Sequence, residues 1–411
     1  MSSDPGPESG RGFPRVIADL LDDAHLVAPD RLAELIMAAA SRLGAVGGRI
    51  WLADHQQRFL VPLDGTADLE PMAVDRTLAG RAWASSESVE VSLAEGGARC
   101  WLPLMDGVNR IGVLEIEVAD GLPSSDPDAA VPQGLEAFRH LASVATSEIV
   151  ARGQYTDAFT MARRRQEMSL AAELQWQALP PTTFATRHVT VGGLLEPAYR
   201  IGGDIFDYAL NDGQLHIGIF DAIGHGLTSS LLSTLAVGAY RNRRRSGAGL
   251  VDITAAIDAA ISQRGEGDVY VTGQLAILDV DGGTLQWCNA GHHLPLLIRQ
   301  GGVVGPLSCE ARPPFGLGHL LPDRTSAVAS SQLEPEDAVL FYTDGIVEAR
   351  RPGGSDFGLD RLVDYLDRAF AAGLSTAETL RRLSHAVLDF HDGELQDDAS
   401  TVLVSWHPPR S

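Results

Sequence analysis

The sequence predicts an α+β protein of two domains joined by a long helix, and three observations carry that expectation. The chain has 411 residues, more than a single hydrophobic core ordinarily organises. Short β-type runs bracketed by amphipathic helices fill its first part, whereas its second half alternates hairpin signals with paired helices. Between them, from Val150 to Leu179, no glycine follows Gly153 and no proline precedes Pro180, a pattern that predicts one continuous helix ended by Pro180-Pro181. The expected division is a disordered tail over 1–14, an α/β domain over 15–150, a connecting helix over 151–183 and a second domain over 184–409. Hairpins with paired helices suggest a layered α/β/β/α sandwich for the second domain, although periodicity alone does not choose it over other α+β folds.

The N-terminal stretch MSSDPGPESGRG lacks the basic flank and apolar core of a signal peptide and reads as a tail. From Asp30, a plausible N-cap, Leu32, Leu35, Ile36, Ala39 and Leu43 follow at helical spacing. Strand runs come next at GRIWLA and RFLVPL, then a small helix from Thr77. RCWLPL and RIGVLEIEV flank Met105 to Asn109, a hairpin signal, and a helix begins near Pro132. Within the connecting segment the Arg163-Arg164-Arg165 triplet reads as a solvated helix face. In the second domain Leu227, Leu231, Leu232, Leu235 and Ala239 form one apolar helix face, whose basic end at Arg241 and Arg243 to Arg245 complements the helix C-terminus. A helix over Val251 to Gln263, a hairpin turning at Asp281-Gly282-Gly283, two helices from Leu359 to Phe390 and a closing strand TVLVSW complete the chain.

Composition narrows the function. Hydrophobic residues make up 45% and charged residues 21%, which describes an ordered chain able to bury sizeable cores. A formal net charge of -22 argues against nucleic acid and anionic membranes as partners, since both need a basic surface. No stretch approaches the roughly 18 apolar residues of a membrane span. Cys100, Cys288 and Cys309 show no C-x-x-C spacing and form neither a disulfide framework nor a thiolate zinc site. A cytoplasmic location is expected.

The chemistry concentrates in Tyr199 to Leu227, where two apolar runs are joined by Asn211-Asp212-Gly213. If Asp212-Gly213 form the turn, Asn211 pairs with Gln214 and Asp204 lies directly opposite Asp221. Opposed carboxylates on adjacent strands repel, so this register calls for a proton or a cation between them. A one-residue slip would instead leave both as solvating groups at strand ends. Asp344 closes the run VLFYT, and Asp397-Asp398 precede STVLVSW. Carboxylates at strand ends without His or Cys at ligand spacing describe a hard oxygen site suited to Mg2+ or Mn2+ and disfavour zinc.

Two resemblances follow from these residues. Leu78-Ala-Gly-Arg-Ala82, Trp101-Leu-Pro-Leu104 and Ile111-Gly-Val-Leu-Glu-Ile116 resemble a GAF domain, which implies a sensor with an unknown small-molecule ligand; a pocketless dimerisation domain of the same fold is the competing reading. No histidine among His25, His55 and His140 forms a haem-ligand constellation. Pro197-Ala-Tyr-Arg-Ile-Gly-Gly-Asp204, Asp221-Ala-Ile-Gly-His-Gly226, Asn289-Ala-Gly-His292, Tyr342-Thr-Asp-Gly345 with Glu348-Ala-Arg350, and Asp397-Asp398 occur in the order of the stage II sporulation branch of the metal-dependent, type 2C-like (PPM) Ser/Thr protein phosphatases. Ala172 to Pro180 resembles the segment that precedes this domain in that branch.

The resemblance implies two Mn2+ or Mg2+ ions held by Asp204, Asp221, Asp344 and Asp397, with Asp221 bridging, the Ala222 carbonyl as a backbone ligand and Asp398 as an auxiliary carboxylate. It further implies a phosphorylated STAS-domain anti-sigma-factor antagonist as substrate. The unbroken helical pattern from Val150 to Leu179, with apolar residues on more than one side to bury against the second domain, a dimer mate or both, motivates the expectation of a homodimer and of regulation by the GAF-like domain. Ile223 stands where the eukaryotic branch has a histidine proposed as general acid, which leaves His225 and His292 as nearby candidates. Arg200 is the nearest basic group for holding phosphate. A non-catalytic signalling scaffold is the alternative, against which the retention of all four carboxylates argues.

Overall fold

The computed structural model describes residues 12–408 except 64–68, 95, 120–133, 201, 265–268, 321–326, 350–355, 392–394 and 396. The chain divides into two compact units, Met1–Arg165 and Gln166–Ser411.

The first unit carries one antiparallel sheet. Its strands are β1 (Gly47–Ala53), β2 (Phe59–Pro62), β3 (Met72–Ala73), β4 (Val89–Ser92), β5 (Ala98–Asp106) and β6 (Asn109–Val118), in the order β3-β2-β1-β6-β5-β4. Helices α1 (Phe13–Ala24), α2 (Leu32–Arg42), α4 (Leu135–Arg152) and α5 (Ala158–Arg163) bury Leu20, Ile36, Phe138 and Phe159 against Ile50, Leu102 and Leu114 on one face. Helix α3 (Leu78–Ser85) covers the other, where Trp51, Trp83 and Trp101 pack together and the Arg110 guanidinium lies 4.0 Å over the Trp83 ring. The alternation along β1 and β6 supplies both faces, as a two-sided sheet requires.

The single helix expected over 150–179 is broken. Helix α4 ends at Arg152, α5 is six residues long, Arg164 is extended (φ -82°, ψ 123°), and helix α6 (Leu170–Ala178) starts afresh. Hydroxyl side chains explain the breaks: Thr156 Oγ1 accepts from the Ala158 amide at 3.1 Å and Ser169 Oγ caps α6 from the Ala172 amide at 3.1 Å. Such bonds give the backbone an alternative to the helical ladder. The arginine triplet is not a solvated face either, because Arg163 Nε donates to the Ala53 carbonyl at 2.8 Å and Arg165 lies over Phe59. The expected tail lies outside the described residues as far as Arg11, and Phe13 and Pro14 already open α1. The start expected near Pro132 also lies outside them.

The second unit is an α/β/β/α sandwich. Strands β9 (Asp204–Asn211), β10 (Gln214–Ala222), β11 (Val271–Asp279), β12 (Thr284–Ala290), β15 (Ala311–Arg312) and β16 (Ala329–Gln332) form one sheet. Strands β7 (Thr183–Ala185), β8 (Val189–Glu196), β13 (Leu296–Arg299), β14 (Gly302–Pro306), β17 (Ala338–Tyr342) and β18 (Ala399–Trp406) form the other, ordered β14-β13-β17-β18-β8-β7. Phe206, Ile217, Ile219, Val339, Phe341 and Val402 fill the space between the sheets. Helices α7 (Leu227–Arg244) and α8 (Leu250–Ser262) cover the first sheet through Phe220, Tyr240 and Ile257. Helices α9 (Asp344–Val347), α10 (Gly358–Ala371) and α11 (Thr376–Phe390) cover the second through Leu340, Leu366 and Leu383. The basic end of α7 is partly spent on a buried carboxylate, with Arg241 and Arg244 each 2.7 Å from Asp207.

Candidate metal centre

The hairpin of β9 and β10 adopts the register that its turn predicts. Asn211 pairs with Gln214 and Asp204 with Asp221. The turn residues Asp212 (φ 47°) and Gly213 (φ 76°) both lie in the left-handed region that matches the twist of the flanking strands. Because side chains alternate along a strand, Asp204 shares the inter-sheet face with Phe206 and Tyr208, and Asp221 shares it with Ile219 and Ile217. Both carboxylates therefore sit at the open end of the space between the sheets.

The second sheet brings its acidic groups to the same end. Asp344 follows β17 and opens α9. Its neighbour Thr343 donates from Oγ1 to Asp204 Oδ2 at 2.6 Å and accepts from the Ser400 amide at 2.9 Å, which ties the ends of β9, β17 and β18 together. Asp398 Oδ2 accepts from the Gly202 amide at 2.6 Å, from the Gly203 amide and from the Asp204 amide at 3.3 Å. Asp398 is thus a clamp on the chain entering β9, acting through Asp204. The glycines around it are obligatory: a Cβ on Gly345 would lie 1.8 Å from the Asp398 carbonyl, and one on Gly203 would lie 2.7 Å from the Ala222 carbonyl. Asp397 is exposed and accepts from the Asp398 amide at 2.9 Å.

Electrostatics register the crowding. Burial first, then Asp221 and Asp398, push the Asp204 carboxyl well above its ordinary value, against the Thr343 hydroxyl. Burial followed by Asp344, Asp397 and Asp398 raises Asp221 to about 7. Asp344 is raised by burial, Asp397 and Glu348, with the charge of His293 opposing. Burial also raises Asp398, against its three amide donors. Five carboxylates therefore feel one another, the condition that a bound cation relieves. Among the described residues no three His, Cys, Asp or Glu side chains close to coordination distance of one point. Repulsion between charges reaches several ångströms, whereas a coordinate bond to magnesium spans about 2.1 Å, so the two observations are compatible.

A cavity of about 220 Å3 opens beside these groups, lined by Asp221, Thr272, Gly291, His292, His293 and Asp344. Thr272, opposite Asp221 on β11, has its Oγ1 3.4 Å from Asp221 Oδ2 and shares a 2.8 Å hydrogen bond with His292 Nδ1. The loop carrying His292 is held by Asn289, which accepts from the His292 amide and donates to its carbonyl, both at 2.7 Å. Burial and the neighbouring His293 lower His292 to about 3 and keep it neutral. The cysteines lie elsewhere: Cys288 is in the core beneath α8 and Cys309 borders the inter-sheet core. The donor set is all carboxylate and carbonyl oxygen, which fits a hard divalent cation.

Residues 211–407 match the family model of stage II sporulation protein E (SpoIIE). The matched residues lie within the second unit. Protein IcfG of Synechocystis sp. is 25% identical over 270 residues, covering 59% of this chain and 42% of its own length. The phosphoserine phosphatase RsbP of Bacillus subtilis is 23% identical over 212 residues, covering 50% of this chain and 51% of its own. This chain therefore spans about half the length, or less, of these two relatives. Among solved structures, the SiaA-PP2C domain of Pseudomonas aeruginosa is 20% identical with a TM-score of 0.47, over 57% of this chain and 94% of that one.

At one end of the sandwich the structure gathers Asp204, Asp221, Asp344, Asp397 and Asp398, with the Ala222 carbonyl against Gly203; Asp204 lies before the matched residues. Among the other sequence candidates, Arg200, His225 and Ile223 are exposed, Ile223 at 41%, and none of them lines the cavity. Arg350 lies outside the described residues. Thr343, Thr272 and His293 were not singled out from the sequence. The signal for Thr343 was its place directly before Asp344 in the YTDG motif; Thr272 and His293 are placed only by strand pairing and a loop.

Proposed function

We propose that this protein is a metal-dependent phosphoserine/phosphothreonine protein phosphatase of a bacterial partner-switching pathway, its output set by the first unit. The observation that carries the reading is the direct opposition of Asp204 and Asp221 beside a cavity that Asp344 also lines. Asp204, Asp221, Asp344 and Asp397, with the Ala222 carbonyl, would hold two Mn2+ or Mg2+ ions. Such ions lower the pKa of a bound water and offset charge on phosphoryl oxygens.

The chain's own residues prepare that chemistry. Thr343 orients Asp204, the Asp398 clamp fixes the backbone from Gly202 to Asp204, and Asn289 shapes the loop that forms one wall of the cavity. A water activated by a bound cation needs no serine or cysteine nucleophile, so no phosphoenzyme is expected. The substrate proposed is a phosphorylated STAS-domain anti-sigma-factor antagonist; the naming of the relative RsbP as a phosphoserine phosphatase supports phosphoserine as the residue acted on.

The strand order and two-faced packing of the first unit support the GAF-like reading, with a small molecule as its input and the homodimer as the regulated state. Helix α6 supplies a physical route into the site from within the second unit, since Gln175 Nε2 donates to the Asp204 carbonyl at 2.7 Å. The test is manganese-dependent release of phosphate from a phosphorylated STAS protein. Asp221→Asn and Asp344→Asn are expected to abolish it, and full activity in either variant would refute the assignment. Deleting residues 1–165 is expected to change the rate substantially.

A further inference from the structure

We propose that His293 is the proton donor to the departing serine or threonine oxygen, an inference that rests on the phosphatase reading. Ile223 offers no proton, and His225 stands exposed on its glycine loop outside the cavity lining. Two histidines do line the cavity with Asp221 and Asp344. His292 is held in the framework: its main chain is bonded by Asn289 on both sides and its Nδ1 shares a hydrogen bond with Thr272, while its Nε2 is buried with no partner among the described residues. Burial keeps that ring neutral, so it has no proton to spare from a cation.

His293 is built differently. Its ring stacks on Tyr342 with centroids 5.5 Å apart and planes at 22°, which fixes its orientation while leaving its nitrogens without a hydrogen bond or ion pair to any described residue. Asp344 feels its charge, and His292, Tyr342 and Asp221 complete the titratable surroundings. In the step, water forms the new P–O bond and gives up a proton to solvent. The ester P–O bond breaks with its electron pair on the serine oxygen, which takes the proton from His293; solvent then returns a proton to the ring. The sum is phosphoserine and water giving serine and phosphate.

Leaving-group dependence tests this directly, because a nitrophenolate departs without a proton and a serine alkoxide does not. The full chain with manganese is assayed on a phosphoserine peptide and on p-nitrophenyl phosphate, with His293→Gln and His292→Gln compared and folding followed by thermal melts. His293→Gln is expected to lower kcat on the peptide by about 100-fold or more while nitrophenyl phosphate turnover falls only a few-fold. His292→Gln is expected to lower both alike. Equal losses on the two substrates in His293→Gln, no loss, or a leaving-group-dependent loss confined to His292→Gln would overturn the assignment. Absence of manganese-dependent turnover of either substrate by the unaltered chain would overturn the phosphatase reading and this inference with it.

Discussion

Thr343→Val isolates the contact on which the metal platform depends. Valine keeps the shape of threonine but removes the hydroxyl that donates to Asp204 Oδ2 at 2.6 Å and accepts from the Ser400 amide at 2.9 Å. Both groups are buried, Asp204 at 2% and Thr343 at 0% relative exposure. A hydrogen bond to a charged group contributes about 1.5–3 kcal/mol, and stranding a buried amide costs about 1–3 kcal/mol more, so the substitution should destabilise the second unit by about 2.5–6 kcal/mol. The same loss removes the donor that opposes the upward shift of Asp204, so its proton is held harder and competes better with a cation. Urea unfolding of the metal-free chain measures the first effect and calorimetric Mn2+ titration at neutral pH the second. Thr343→Ser, which keeps the oxygen, should restore most of both. A Thr343→Val chain with stability within about 0.5 kcal/mol of the parent and unchanged manganese affinity would refute the reasoning.

Other outcomes follow from the same contacts. Gly203→Ala places a Cβ 2.7 Å from the Ala222 carbonyl, and about 1–3 kcal/mol of overpacking on that oxygen should weaken manganese binding roughly ten- to hundredfold by calorimetry. Asp398→Ala leaves three amides without their acceptor and should cost about 2–5 kcal/mol in urea unfolding, whereas Asp398→Asn, which retains an oxygen, should cost less. For the metal-free chain, Asp221 has a folded pKa of about 7 against an ordinary 3.8, so the folded state binds more protons between those values. Its contribution to stability is therefore full at low pH and lost as pH rises through about 7; thermal melts should show this slope flattened by Asp221→Asn.

The hairpin was legible because its information is local. Asp-Gly between two apolar runs dictates the turn, the turn dictates the register, and the register opposes Asp204 to Asp221. The turns at Gly107 and Gly283 were readable for the same reason. The segment from 150 to 179 misled because the absence of glycine and proline says nothing of side chains that compete for the backbone, as Thr156 and Ser169 do. Helix α1 was hidden beside a Pro- and Gly-rich tail, although Val16, Leu20 and Ala24 recur four apart along its buried face. Asp398 reads from sequence as one more acidic group. Only the fold, which folds the Gly202–Asp204 backbone onto its Oδ2 across nearly 200 residues, makes it a clamp. His293 carries no motif of its own; the loop pinned by Asn289 brings it to the cavity wall.

Anomalous diffraction from crystals of the full chain grown with manganese tests the central claim most directly. The account predicts two manganese peaks at the open end of the sandwich, within reach of Asp204, Asp221, Asp344, Asp397 and the Ala222 carbonyl. Peaks that avoid Asp221, or no bound manganese at concentrations that support phosphate release, would contradict it.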